Sequence, residues 1–160
     1  MVYSVVECYG NSGRPLNAFL DQRLMDISVI VPCFNLELYI ERCLNSIISQ
    51  QYDGNLFEII VILDSCADRS EKIVKELLNG RMQDKIITVK CHRPGLARNF
   101  GLEVAKGDWV WFIDGDDYLT DLKAFSKLID KINRTSTNIV FLKKFLSEKP
   151  VSENWAAWRF

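Results

Sequence analysis

The 160-residue chain has one histidine and no excess of charge of either sign. Its 20 lysine and arginine residues are balanced by 21 aspartate and glutamate residues, which leaves a net charge of −1. Such a balance does not favour partners recognised by long-range attraction, so neither nucleic acid nor an anionic membrane surface is expected as a partner. With His92 alone and no CxxC spacing among the cysteines, a zinc site is not expected either.

The chain also lacks an apolar run long enough to span a bilayer, and its first residues lack the pattern of a secretory signal. Its cysteines are odd in number and fall mostly inside apolar segments, which is typical of reduced, buried thiols. We therefore expect a cytoplasmic protein. The five cysteines are Cys8, Cys33, Cys43, Cys66 and Cys91.

The composition, 48% hydrophobic and 26% charged, is that of a globular domain able to bury a core. Residues 1–24 have mixed composition and a turn-rich cluster, and we interpret them as a loosely attached leader. Residues 25–142 form the predicted domain, and residues 143–160 form a tail in which the pattern is lost.

Within the domain, short β-branched runs alternate with amphipathic stretches, which predicts an α/β fold. Its sheet should be mostly parallel, with about five strands flanked by helices. The predicted strands are Ile27–Val31, Phe57–Leu63, Ile86–Lys90, Trp109–Ile113 and Asn138–Leu142.

Helical spacing of apolar residues predicts a helix between the first two strands. Asp68, followed by Glu71, is predicted to cap a second helix that ends near Asn79. Thr120 is predicted to cap another helix, with Leu122 on its inner face. The apolar positions of the first helix are Tyr39, Ile40, Cys43, Leu44, Ile47 and Ile48.

Polar residues follow the predicted strands, and ligands of parallel sheets bind beyond the carboxyl ends of the strands. The most acidic of these stretches lies in WVWFIDGDDYL, where Asp114, Asp116 and Asp117 leave a buried strand together. A hard cation such as Mg²⁺ or Mn²⁺ would relieve their repulsion and bind substrate phosphates at the same time, which implies a diphosphate. The alternative is an ordinary turn before a helix, since Asp and Gly are common in turns.

Three segments occur in an order that resembles the nucleotide-sugar-binding half of the family 2 glycosyltransferases, which have the GT-A fold. The segments are SVIVPCFN, IIVILDSCADRS and GLARNFGLEVAKGDWVWFIDGDDYL, and the resemblance covers residues 26–142. It implies a Rossmann-like, nucleotide-binding half of the GT-A fold that binds a nucleotide-diphosphate sugar, of which a UDP-sugar is favoured.

The resemblance also implies roles for individual residues on the nucleoside side. Pro32 and Asn35 would shape the loop that touches the nucleoside, and Asp64 would hydrogen-bond its base or ribose. Arg98 would approach the base or the diphosphate. Other readings remain open: Asn35 as a helix cap, Asp64 as a turn residue, and Arg98 as a surface or intra-helix ion pair.

On the metal side, Asp114 would face the ribose and share in the metal site, while Asp116 would hold the Mn²⁺ or Mg²⁺ that bridges the diphosphate. Asp117 would be a supporting carboxylate. The lone His92 lies in a loop, and a catalytic role for it is not favoured.

Two departures from the family pattern limit these expectations. LDSCAD stands where the family has a run such as DDGSTD, so either Leu63 occupies the first acidic position or the turn is one residue shorter. The acceptor half and its general base normally follow the DxD, yet after Asp130 the carboxylates are Glu148 and Glu153, which we interpret as solvated tail residues. No catalytic residue is therefore identified, and sugar transfer would require the missing half from elsewhere.

The tail aromatics Trp155, Trp158 and Phe160 would suit contact with a partner chain or a second copy, or packing on the domain's own sheet. Two other functions stay open. One is a catalytically inactive nucleotide-binding or interaction module. The other is a phosphatase of the haloacid-dehalogenase type, which also uses an apolar strand ending in DxD, although there the motif follows the first strand.

Overall fold

The structure is a computed structural model that describes residues 3–7, 27–52, 57–134 and 139–143. This part of the chain contains six strands and four helices, which alternate from the second strand onward. The strands are β1 Tyr3–Glu7, β2 Ile27–Cys33, β3 Phe57–Asp64, β4 Lys85–Val89, β5 Trp109–Phe112 and β6 Ile139–Lys143. The helices are α1 Ile40–Ile48, α2 Ser70–Leu77, α3 Pro94–Val104 and α4 Ala124–Asn133.

The main sheet is parallel and has the strand order β4-β3-β2-β5, so the predicted α/β class is confirmed. The predicted count of about five strands is wrong, because this sheet has four. The fifth predicted strand exists as β6, but it pairs antiparallel with β1 in a separate two-stranded sheet. A local residue pattern predicts a strand, but it does not show which other strand pairs with it.

Helices cover both faces of the parallel sheet. Side chains of β2 alternate, so that Val29 and Val31 belong to one buried cluster and Ile30 belongs to the other. Helices α1, α2 and α4 pack on the first face, and α3 packs on the second through Ala97. Strands buried on both faces explain the continuous apolar runs in the sequence.

Two predicted helix starts have different outcomes. The N-cap of α2 is Arg69 rather than the predicted Asp68, although the Asp68 Oδ1 accepts a hydrogen bond from the Ser70 N–H at 3.0 Å, at the first residue of the helix. Helix α4 begins at Ala124, so Thr120 does not cap it. Instead the Gln50 Oε1, from beyond α1, accepts the Phe125 N–H at 3.2 Å, and Leu122 is 50% exposed rather than inward-facing.

At the amino end of the parallel sheet, buried polar groups join three strands to the loop before β5. Both Glu58 and Ser28 are 0% exposed. The Glu58 Oε1 accepts hydrogen bonds from the Ser28 hydroxyl and from the Lys106 N–H, both at 2.7 Å, and its Oε2 pairs with Lys85. The Ser28 Oγ accepts the Gly107 N–H at 2.8 Å. We call this set, Ser28, Glu58, Lys85, Lys106 and Gly107, the amino-end network.

Some predictions fall outside the described residues or remain untested. Residues 1–24 contain β1, but the predicted division into leader, domain and tail stays a prediction, as does cytoplasmic location. Within the described part of the chain, every helix is too short or too polar to cross a membrane. The tail carboxylates and aromatics lie outside the described residues, namely Glu148, Glu153, Trp155, Trp158 and Phe160.

Candidate functional site

The order of the strands locates a crevice between β2 and β5. The chain runs outward from β2 through β3 to β4, and then returns to place β5 on the other side of β2. Such a reversal parts the loops that leave β2 and β5, and ligands of open α/β sheets bind there. The loops after Cys33 and Phe112 therefore frame the candidate site.

Gly115 brings the acidic loop after β5 against the end of β2. A Cβ at this position would lie 2.7 Å from the Leu36 Cδ1 and 3.1 Å from the Pro32 carbonyl oxygen. The close approach therefore favours glycine, while its φ lies outside the left-handed region. Pro32, a predicted site residue, contributes through this backbone contact.

Three carboxylates converge on this loop, as the DxD spacing predicts. One oxygen each of Asp114, Asp116 and Asp117 lie within 4.8 Å of one another, and Asp116 is exposed. The Asp117 N–H donates to the Asp114 carbonyl at 2.8 Å, which closes the turn. Burial, together with the charges of these carboxylates, raises the pKa of the Cys43 thiol behind the loop. An all-oxygen set of this kind fits Mg²⁺ or Mn²⁺.

Arg98 reaches the acidic cluster from α3. Its Nη2 lies 2.5 Å from the Asp114 Oδ1, so the ion pair joins two elements rather than two turns of one helix. The helix lies close to the sheet because Gly101 faces Ile30, whose Cγ2 would be 2.5 Å from an added Cβ. Two predicted site residues, Arg98 and Asp114, are thus brought together.

Asp64 ends β3 and is only 3% exposed. Its Oδ1 accepts the Cys91 N–H at 2.9 Å and the Ser65 hydroxyl at 3.1 Å, and its Oδ2 accepts the Cys91 thiol at 3.1 Å. Burial by itself would raise the pKa of Asp64, but these hydrogen bonds and the His92 N–H outweigh it and lower the pKa. The carboxylate therefore fixes the loop after β4, and its predicted contact with a base or ribose remains a prediction.

Asn35 ties the loop after β2 to the loop after β3. Its side-chain Oδ1 accepts the Ala67 N–H at 2.8 Å, and α1 begins only at Ile40, so Asn35 does not cap that helix. The contact holds together two loops that both leave the carboxyl end of the sheet.

Sequence reasoning missed a shared backbone feature of this edge. Asn35, Ser65 and His92 each follow a strand and have φ of 51°, 55° and 50°, in the left-handed region. The Ser65 Oγ and the His92 Nε2 lie 3.3 Å apart, and the His92 ring meets the Phe34 ring edge-on. Residues held in this region concentrate at functional sites, and the signal in the sequence was an asparagine, serine or histidine within three residues of each strand's end.

Comparison with protein families gives one assignment over most of the chain. The model described as Glycosyl transferase family 2 matches residues 28–160. The glycosyltransferase GlyA of Streptococcus pneumoniae is 41% identical over 95 residues, which cover 58% of this chain and 13% of GlyA. TarS of Staphylococcus aureus, a poly(ribitol-phosphate) beta-N-acetylglucosaminyltransferase, is 36% identical over 112 residues, which cover 68% of this chain and 19% of TarS. The chain thus spans a small part of each relative's length.

Solved structures agree with this assignment. The crystal structure of S. aureus TarS 1-349 in complex with UDP-GlcNAc superposes with a TM-score of 0.64 at 32% identity and covers 68% of this chain and 31% of that one. The mannosyltransferase PcManGT of Pyrobaculum calidifontis, solved with GDP-Man and Mn²⁺, has a TM-score of 0.59 over 72% of this chain. At 22% identity, that likeness shows a shared fold.

Proposed function

The chain belongs to glycosyl transferase family 2, and on that premise we propose that its described part binds a nucleoside-diphosphate sugar through a divalent cation. The observation that carries the proposal is the meeting of Arg98 with the carboxylate cluster in the crevice between β2 and β5. A guanidinium and a cation-binding carboxylate set are the complementary groups that a metal-bound diphosphate requires.

Asp116 and Asp114 would hold the cation, with Asp117 in support. Bound Mn²⁺ or Mg²⁺ would supply positive charge against the diphosphate that leaves when the sugar is transferred. Arg98 would add a second, permanent positive charge on the α3 side. Its contact with Asp114 orients the guanidinium toward the loop that carries the cluster.

The nucleoside would lie along the ends of β2 and β3. Pro32 and Asn35 shape one side of this edge, and Asp64 holds the loop on the other. A uridine nucleotide is favoured because TarS, whose structure was solved with UDP-GlcNAc, is 32% identical over two thirds of this chain. We propose a nucleoside-diphosphate sugar as the ligand and name no particular sugar.

Transfer to an acceptor needs a general base within hydrogen-bond reach of the acceptor hydroxyl. We propose that residues outside the described part, or a partner chain, supply this base, since the chain spans only 13% and 19% of GlyA and TarS.

A thermal-shift screen tests donor binding. UDP-GlcNAc, GDP-mannose and a dTDP-sugar would each be added with and without Mn²⁺, since a ligand at about 100 times its Kd adds about 2.7 kcal/mol to the free energy of unfolding. We expect a rise in Tm with UDP-GlcNAc that requires Mn²⁺ and disappears in Asp116→Ala. No shift with any nucleotide, or hydrolysis of a simple phosphate ester that is lost in Asp114→Asn, would contradict the proposal.

A further inference from the structure

Cys33 and Cys66 lie in contact at the carboxyl end of the sheet. Cys33 is the last residue of β2, and Cys66 follows the end of β3, the neighbouring strand. The Cys66 thiol donates a hydrogen bond to the Cys33 carbonyl oxygen at 3.3 Å, which holds Cys66 against the last residue of β2. Both are free thiols in the structure.

The surroundings of Cys66 favour its thiolate. Hydrogen bonding from the Cys33 thiol, helped by the Asn35 N–H, outweighs burial and lowers the pKa of Cys66 to about 7. The same contact, together with burial, raises the pKa of Cys33, which is 1% exposed and stays protonated. Cys66 is half-buried, so a small reagent has access to it. An accessible thiolate beside a protonated thiol is the arrangement that reacts with oxidants.

We propose that Cys33 and Cys66 form an oxidation site at which a peroxide converts two thiols into a disulfide. The Cys66 thiolate attacks one oxygen of hydrogen peroxide, the O–O bond breaks, and a sulfenic acid forms as hydroxide leaves and takes up a proton to give water. The Cys33 sulfur then attacks the Cys66 sulfur, the S–O bond breaks, and the Cys33 proton leaves with the oxygen as a second water. Two electrons pass from the thiols to one peroxide.

The other described thiols do not share this arrangement. Cys91 is also half-buried at this edge, but burial and its hydrogen bond to the Asp64 carboxylate raise its pKa. Cys43 is a buried residue of α1, and its pKa is raised too. Cys91 is therefore a matched control for Cys66, with similar exposure, a neighbouring position and the opposite shift.

The disulfide would join the end of β2 to the loop after β3, in addition to the existing hydrogen bond between Asn35 and Ala67. It would form whether or not the chain binds a nucleotide. Its effect on donor binding rests on the proposed function, because Asn35 and Asp64 flank the pair. Failure of donor binding would therefore leave the oxidation site standing.

Mass spectrometry of the chain after treatment with one equivalent of hydrogen peroxide at pH 7 tests the proposal. Cys43 and Cys66 share the tryptic peptide 43–69, so a second digestion at Glu58 separates them. We expect a cross-linked pair of peptides containing Cys33 and Cys66, which dithiothreitol resolves. The proposal would be overturned if Cys66 accumulated as sulfinic acid while Cys33 could still be alkylated after unfolding. A disulfide between Cys66 and Cys91 would also overturn it.

Reactivity in the unsubstituted chain provides a second test, which does not depend on a variant folding. A thiol of pKa about 7 is half ionised at pH 7, so Cys66 should react with iodoacetamide roughly tenfold faster than Cys91. Cys66→Ser should abolish the peroxide-driven disulfide, and Cys91→Ser should leave it intact. Equal alkylation rates at the two cysteines, or loss of the disulfide in Cys91→Ser, would contradict the assignment.

Discussion

The two ends of the parallel sheet hold carboxylates in opposite surroundings. At the amino end, Glu58 is fully buried, and both of its oxygens accept hydrogen bonds within the amino-end network. At the carboxyl end, Asp114, Asp116 and Asp117 lie within 4.8 Å of one another on a partly exposed loop. One end satisfies its charge inside the fold, whereas the other concentrates charge at a surface where a ligand can reach it.

One continuous stretch of sequence contributes both to the amino-end network and to the acidic cluster at the carboxyl end. Gly107, in the segment AKGD, lies against β2, where an added Cβ would be 2.5 Å from the Ser28 nitrogen. Asp114 and Asp116 follow a few residues later, but β5 carries them to the opposite end of the sheet. The segment that most resembles the family is therefore partly scaffold and partly site.

Removing the carboxylate at the amino end should have the largest effect on stability. Glu58→Ala leaves Lys85 without its carboxylate partner and the buried Ser28 hydroxyl without its acceptor, and breaking a buried pair costs about 3–5 kcal/mol. Urea denaturation measures the loss, with Glu103→Ala on the exposed side of α3 as the control. If both variants lost the same small amount, the amino-end network would not be the scaffold inferred here.

Asp64 differs from the acidic cluster because it is buried at the functional end and both of its oxygens accept hydrogen bonds. We expect Asp64→Asn to cost about 1–3 kcal/mol at pH 7, since the N–H and S–H donors of Cys91 lose a charged acceptor. Because the folded-state pKa is lowered, this contribution is complete above the unfolded pKa of about 3.9 and is lost as the pH falls through the folded value.

The difference between Asp64→Asn and the unsubstituted chain should therefore shrink below about pH 4 in urea denaturation. Asp130→Asn, an exposed position on α4, is the control and should change little at any pH. A gap that stays constant from neutral pH into acid would show that the charge of Asp64 is not what stabilises the loop after β4.

The smallest effect on stability is expected for the ion pair at the functional end. The side chains of Arg98 and Asp114 are 31% and 47% exposed, so Arg98→Ala should change the free energy of unfolding by about 1 kcal/mol or less. Donor binding should fall while stability persists, as measured by denaturation and by thermal shift. A stability loss as large as that of Glu58→Ala would assign Arg98 to the scaffold.

Local pattern predicted the elements of the sheet well. Continuous apolar runs gave β2, β3 and β5, because strands covered by helices on both faces have no polar side. No bounds were predicted for helix α3, although Pro94 lies in its first turn, where proline is common. The placement of β6 beside β1 depends on a partner more than a hundred residues away, which local pattern does not encode.

The parts of the candidate site that could be predicted are those whose functional side chains lie close together in the sequence. The acidic cluster follows from the spacing of the DxD, and its meeting with Arg98 follows the family resemblance. The cap of α4 by Gln50 joins residues 75 apart, and the contact between Cys33 and Cys66 joins residues 33 apart. Such contacts depend on how the loops fold back over the sheet, and no short sequence pattern specifies them.

The most direct test of the account compares the same chemical change at both ends of the sheet. Titration calorimetry would measure the binding of UDP in the presence and absence of Mn²⁺ to the unsubstituted chain, to Asp116→Asn and to Asp108→Asn, an exposed aspartate in the loop at the amino end. We predict Mn²⁺-dependent binding that Asp108→Asn retains and Asp116→Asn loses. Equal binding by the two variants, or binding that ignores Mn²⁺, would contradict the claim that the carboxylates at the carboxyl end hold a metal-bound diphosphate.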